Sequence, residues 1–166
     1  EVDLLPMRVS KTRRAAADHK AVREAVDLIS QAKSPIILAG NGAVRKRAAA
    51  QLKRLAHKAG IGVVNTFMGK GALPRSDDHC LMTMGLQGRD YINMALDEAD
   101  LVIAVGYDLV EYSPDFWNLH GGKKIIHVDF WPAEVDQYYP VDVDIVSDVA
   151  AALWQINEEL NNRYTA

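Results

Sequence analysis

A single cysteine, Cys80, stands in the 166 residues. No intramolecular disulfide and no cysteine-rich metal site can therefore be built, which suits a reducing cytosol. No apolar run approaches the roughly 20 residues needed to span a bilayer, and the first twenty residues lack the apolar stretch of a secretion signal. Neither charge is in excess: 19 Lys and Arg against 22 Asp and Glu leave a net −3, which recommends neither nucleic acid nor an anionic membrane as a partner. Internal repeats and low-complexity tracts are missing too. The expectation is a soluble, cytoplasmic domain.

The usual catalytic constellations are also missing. No P-loop occurs, and Ser34, Ser76 and Ser113 lack the context of a nucleophile elbow. Asp77-Asp78 lies in a polar stretch and reads as turn chemistry rather than a catalytic pair. The five histidines, His19, His57, His79, His120 and His127, are scattered, with no pair at metal-ligand spacing. The sequence therefore assigns no catalytic residue and no metal ligand.

What is present is the pattern of one folded domain. Apolar residues make up 49 % and charged residues 25 %, an ordinary globular balance for a chain long enough to bury a core. Residues 1–17 hold Pro6, the basic run Lys11-Thr12-Arg13-Arg14 and three alanines without periodicity, and read as an interdomain linker ahead of a domain over 18–166. Asp18 can cap a helix over 18–33 with Val22, Val26, Ile29 and Ala32 on one face. A wholly apolar strand at 36–39 ends in Gly40-Asn41-Gly42, and a helix over 44–58 follows, with Gly60 placed to terminate it. Strands are expected at 61–65, 101–105 and 124–129, with a short one at 143–146, a helix at 89–97 and a last helix behind Asp148. Residues 66–87 and 107–122 read as loops.

Strands apolar on both faces, alternating with helices, predict an α/β, doubly wound, mostly parallel sheet with helices on both faces. This is a Rossmann-like, DHS-like nucleotide-binding fold. Ligands in such sheets bind beyond the carboxyl ends of the strands, where Gly40, Gly42, Thr66, Gly106 and Asp129 fall. Gly40-Asn41-Gly42 can offer backbone N–H groups to a phosphate or can be only a tight turn. It is not the dinucleotide fingerprint, because Arg45 stands where the third glycine belongs and the second strand ends in Asn65 rather than an acid. Asp129 suits ribose hydroxyls or the turn at Trp131-Pro132, and Asp148 the cap of the last helix. Trp117 and Trp131, on long loops beside Phe116 and Phe130, either close a lid over the sheet edge or pack against another domain, and large apolar groups on loops favour the second.

Several segments, in order, resemble a known family. Ser34-Pro35-Ile36-Ile37-Leu38-Ala39-Gly40-Asn41-Gly42 resembles the opening strand of the central domain of thiamine-diphosphate enzymes. Thr66-Phe67-Met68-Gly69-Lys70-Gly71, Met84-Gly85-Leu86-Gln87-Gly88, Ala99-Asp100-Leu101-Val102-Ile103-Ala104-Val105-Gly106 and Ile126-His127-Val128-Asp129 with Pro132-Ala133-Glu134-Val135 continue the pattern. Ser147-Asp148-Val149 is similar to the family's closing Gly-Asp-Val. Within the superfamily, Gly106-Tyr107-Asp108, Glu111-Tyr112, Pro114 and Phe116-Trp117-Asn118 resemble the catabolic branch of acetolactate synthases.

That resemblance implies a chain of three α/β domains with this one in the middle. A pyrimidine-binding domain bearing the activating glutamate would precede it, and a diphosphate-binding domain with the Gly-Asp-Gly motif would follow. Thiamine diphosphate and Mg²⁺ would bind outside this chain, the cofactor serving as electron sink while pyruvate condenses with a second 2-oxo acid. Homo-oligomers, dimers or tetramers, are the family's assemblies. The biosynthetic branch also binds FAD in this domain; by position the contacts would be Gly40, Asn41, Gly42, Thr66, Phe67, Met68, Gly85, Leu86, Gly106, Asp129, Phe130 and Asp148. Two departures argue against FAD: Asn41 replaces the middle glycine of a triple-glycine turn, and Asp108 replaces an arginine facing the nucleotide. The alternatives are a free-standing nucleotide-binding module of sirtuin-like or electron-transfer-flavoprotein-like topology, and another thiamine-diphosphate 2-oxo acid decarboxylase or carboligase.

Overall fold

The computed structural model describes residues 14–84 and 91–164. Along the chain run α1 (His19–Gln31), β1 (Pro35–Ala39), a 3-10 turn (Asn41–Val44), α2 (Lys46–Ala59), β2 (Gly62–Asn65), β3 (Cys80–Thr83) and α3 (Tyr91–Asp97). There follow β4 (Leu101–Val105), a second 3-10 turn (Pro114–Phe116), β5 (Lys124–Asp129), β6 (Val143–Val146) and α4 (Val149–Tyr164). The six strands form one sheet in the order β3-β2-β1-β4-β5-β6, every neighbouring pair parallel. The chain leaves β1 to one side and returns at β4 on the other, so the switch point lies between these two strands.

Local signals set most boundaries as the sequence leads one to expect. Asp18 caps α1 by accepting the N–H groups of Lys20 and Ala21 at 2.9 and 3.0 Å, and Gly60 ends α2 in the left-handed conformation at φ 67. Asp100 closes the α1–β1 turn from 66 residues away, accepting the N–H groups of Lys33 and Ser34 at 2.7 and 2.9 Å. Two differences stand out. Helix α2 begins at Lys46 because residues 41–44 form a tighter 3-10 turn. Strand β3 lies inside a stretch read as loop. It is a short edge strand with Leu81 and Met82 exposed, a register shift against β2 and Met82 at φ 80, so neither alternation nor an apolar run marks it.

The sheet's period of two divides the core. Ile37, Ala39, Ile103, Val105, Ile126 and Val128 face α1, α2 and α4, meeting Val26, Leu52, Leu55, Leu153 and Ile156. Ile36, Leu38, Val102, Ala104 and Ile125 face the other side, where each fully buried aliphatic side chain stabilises by roughly 1.5–3 kcal/mol. Among the described residues, α3 is the one helix that joins that second cluster, through Leu96. Loop aromatics join it: Trp117, 1 % exposed, stands edge-on to Tyr107 and Tyr139 at ring distances of 6.3 and 6.1 Å. Of the two readings for Trp117, the lid over its own sheet holds and the favoured one, contact with another domain, is corrected, because the ring is buried in the cluster on this sheet face. Trp131, 75 % exposed, remains outside. His127 is structural, bonded to Tyr139 Oη at 2.9 Å and to the Trp131 carbonyl at 3.2 Å.

The described part of the N-terminal segment is fastened to α4. The Ala17 N–H donates to Gln155 Oε1 at 2.8 Å and the same amide returns a bond to the Ala17 carbonyl at 3.1 Å. The Asp148 N–H donates to the Ala15 carbonyl at 3.2 Å. Among the described residues, no helix is long and apolar enough to cross a membrane.

Candidate functional site

A concavity opens where a doubly wound sheet holds its ligands, at the carboxyl ends of β1, β4 and β5. Its volume is about 680 Å³, within the range of small-molecule sites. Of the residues expected at a nucleotide, Asn41, Gly42, Met68, Gly106, Asp129, Phe130 and Asp148 line it. Gly40 and Thr66 sit behind its wall, and Phe67 is exposed without lining it. Gly85 and Leu86 lie outside the described residues.

The glycine turn is locked onto the neighbouring strand end rather than offered to a ligand. The Gly40 N–H donates to the Val105 carbonyl at 2.9 Å and the Gly42 N–H to the Gly106 carbonyl at 2.8 Å. Gly106 in turn donates to the Val128 carbonyl at 2.8 Å. A phosphate-binding turn needs such N–H groups pointing at the anion; here these donors are spent on the backbone.

One further N–H of the turn, that of Asn41, is taken by the chain's own carboxylate. Glu111 accepts it with both oxygens, at 3.0 and 3.2 Å, and accepts the Thr66 hydroxyl at 2.5 Å. Thr66 completes the lock by accepting the Gly69 N–H at 2.9 Å and donating its own N–H to the Ala39 carbonyl at 2.9 Å. Glu111 thus takes up the Asn41 N–H and the Thr66 hydroxyl, donors that an anion at this turn would need. The sequence places Glu111 in a recognisable loop but gives no sign of this role, since its partners lie 70 and 45 residues away.

The remaining acids are divided between structure and cleft. Asp129 Oδ1 accepts the N–H groups of Phe130 and Trp131 at 2.5 and 3.1 Å, so the turn reading holds while the carboxylate still borders the cavity. Asp148 accepts the Ala151 N–H at 3.0 Å as the cap of α4 and pairs with Arg14 at 2.9 Å. The opposite wall is basic, with Arg45, Lys46 and Arg47 at the start of α2. Asp108 also lines the cavity, beside Glu111. A flavin diphosphate laid on the glycine turn would meet the Glu111 and Asp108 carboxylates there, with the turn's N–H groups at Gly40, Asn41 and Gly42 already bonded, and the turn does not fit it although the opposite wall is basic.

Comparison with known proteins agrees with this architecture. Residues 22–156 match the family described as thiamine pyrophosphate enzyme, central domain. The acetolactate synthase of Bacillus subtilis (strain 168) is 32 % identical over 145 residues, which cover 87 % of this chain and 25 % of that protein. The acetolactate synthase of Mycobacterium bovis (strain ATCC BAA-935 / AF2122/97) is 35 % identical over 153 residues, 87 % of this chain and 24 % of the relative. The glyoxylate carboligase of Escherichia coli O157:H7 is 35 % identical over 142 residues, 83 % and 24 %. The chain therefore spans about a quarter of the length of these curated relatives. A solved structure described as a thiamin diphosphate-dependent enzyme from Mycobacterium smegmatis shares the fold, with a TM-score of 0.70 at 22 % identity, covering 90 % of this chain and 29 % of that one. A parallel sheet with its switch point between β1 and β4, matched to one family over most of its length, leads to one assignment: the chain belongs to the central-domain family of thiamine pyrophosphate enzymes.

Proposed function

We propose that this chain is the non-catalytic central domain of an acetolactate synthase-type enzyme, which condenses pyruvate with a 2-oxo acid on thiamine diphosphate. Residues 1–17 would link it to a preceding pyrimidine-binding domain, and a diphosphate-binding domain would follow. Thiamine diphosphate and Mg²⁺ would be held by those domains in a cytoplasmic homo-oligomer. The observation that carries this reading is the loop from Gly106 to Asn118, which resembles the pyruvate-condensing branch and supplies the Glu111 carboxylate that closes the glycine turn. By this reading the domain holds no FAD. Met68, Val110, Phe130 and Trp131 are large apolar side chains, at least half exposed, gathered at the cleft, and exposed apolar groups so grouped suit contact with a neighbouring domain.

The experiment is an assay with pyruvate, thiamine diphosphate and Mg²⁺. The full-length gene product should form acetolactate, and the 166-residue chain alone should form none. Acetolactate from the isolated chain would contradict the scaffold role. A full-length product that couples glyoxylate and ignores pyruvate would move the enzyme to the carboligase reading, which the similarity to glyoxylate carboligase keeps open.

A further inference from the structure

At the opposite end of the sheet from the cleft, the fold assembles a group that no local spacing announces. His57 lies in the last turn of α2, while Asp77 and His79 lie in the connection that leads into β3. Their rings and carboxylate converge: His57 Nε2 lies 3.0 and 2.9 Å from the two Asp77 oxygens, His79 Nδ1 lies 3.7 Å from Asp77 Oδ1, and the two imidazole centroids are 4.4 Å apart. All three donor atoms fall within 4.8 Å of one another. Ligands about 2.0–2.1 Å from one tetrahedral ion lie roughly 3.3 Å apart, so the observed spacing needs adjustments of under an ångström between carboxylate and rings.

Three features favour a cation there. His79 Nδ1 is buried and without a hydrogen-bond partner, a condition that a folded protein rarely leaves unmet. The Asp77 side chain is 3 % exposed, so its carboxylate has little water of its own and meets both rings inside the fold. The α2 C-terminus also presents its unsatisfied carbonyls to positive charge.

We propose that His57, Asp77 and His79 bind a divalent transition-metal ion, zinc foremost, with the fourth position open to water. Two nitrogens and one oxygen suit Zn²⁺ and its neighbours, whereas Mg²⁺ and Ca²⁺ take oxygen ligands. The consequence is structural. Residues 66–79 return the chain from the top of β2 to the foot of β3 without a helix, and a connection of that length ordinarily has a reason beyond linkage. The ion staples this connection to α2 and so holds the edge strand. Lys53, 3.0 Å from Asp77 Oδ2, competes with the metal for the carboxylate.

The test is to strip the 166-residue chain with chelator and titrate it with Zn²⁺ by calorimetry, and with Co²⁺ by visible absorption. Saturable binding of one ion, a tetrahedral Co²⁺ spectrum and a Zn²⁺-dependent rise in Tm are expected, with no such rise in Mg²⁺. His57→Gln and His79→Gln should each abolish the Co²⁺ spectrum, while His120→Gln leaves it unchanged. Far-UV circular dichroism checks that the variants fold. Lys53→Met, which removes a metal-repelling positive charge 3.0 Å from the Asp77 carboxylate, should tighten Zn²⁺ binding by about tenfold, an effect opposite to that of weakening a mere ion-pair cluster. Lack of saturable binding at micromolar Zn²⁺ overturns the proposal, as does binding that survives both histidine variants or a Lys53→Met chain that binds Zn²⁺ more weakly.

Discussion

Gly106→Ala should lower the unfolding free energy by about 3 kcal/mol or more, read from urea denaturation by a drop in midpoint at unchanged slope. Two effects combine at this residue. It sits at φ +57, a left-handed conformation that costs an L side chain roughly 1–2 kcal/mol. A Cβ would also lie 2.4 Å from Gly42 Cα and 2.6 Å from Ala43 N. Both obstacles are backbone, so the turn after β1 would have to leave β4, and with it the 2.8 Å bond from Gly42 N–H to the Gly106 carbonyl. Gly121→Ala separates the two effects. It shares a positive φ of 64 but meets nothing within 4 Å, and should lose only the conformational part. Equal losses for the two variants would show that the strand ends at the switch point are not pressed together as described.

Trp117→Ala should cost about 3–5 kcal/mol, the range for deleting a large buried aromatic. The ring is 1 % exposed and packs in the second core cluster beside Tyr107 and Tyr139. Burial also raises the ionisation of both phenols well above the ordinary tyrosine value, as expected for hydroxyls sealed under such a cover. Trp131→Ala, on a ring 75 % exposed, should change the stability of the isolated chain by no more than about 0.5 kcal/mol. If the two losses came out reversed, Trp117 would be the outward anchor and the second core would need another explanation.

The sheet could be read from the sequence because its evidence is local. Apolar runs at β1, β4 and β5, the Asp18 cap and Gly60 each act within a few residues of the element they define. Strand β3 was hidden because its pairing, not its composition, makes it a strand: Cys80-Leu81-Met82-Thr83 sits on an edge with half its side chains outside. The site was legible by position but not by chemistry. Asn41, Gly42, Gly106 and Asp129 do surround the cleft, yet whether their donors are free depends on Glu111 and on the β4 backbone. The same holds for His57 and His79, which are 22 residues apart in sequence and meet only through the β2–β3 connection.

The glycine turn is occupied by the chain's own Glu111 carboxylate, and flavin fluorescence tests the consequence directly. Two unit charges 4 Å apart repel by about 4 kcal/mol near a protein surface, so Glu111 and Asp108 oppose a diphosphate on the glycine turn even though Arg45, Lys46 and Arg47 line the same cleft. Titrating FAD into the 166-residue chain should give no saturable quenching, and Glu111→Ala, which frees the Asn41 N–H and the Thr66 hydroxyl, should increase any residual affinity. Tight, saturable FAD binding by the unaltered chain would contradict the account, because the glycine turn would then be a working phosphate cradle despite the carboxylate that occupies it.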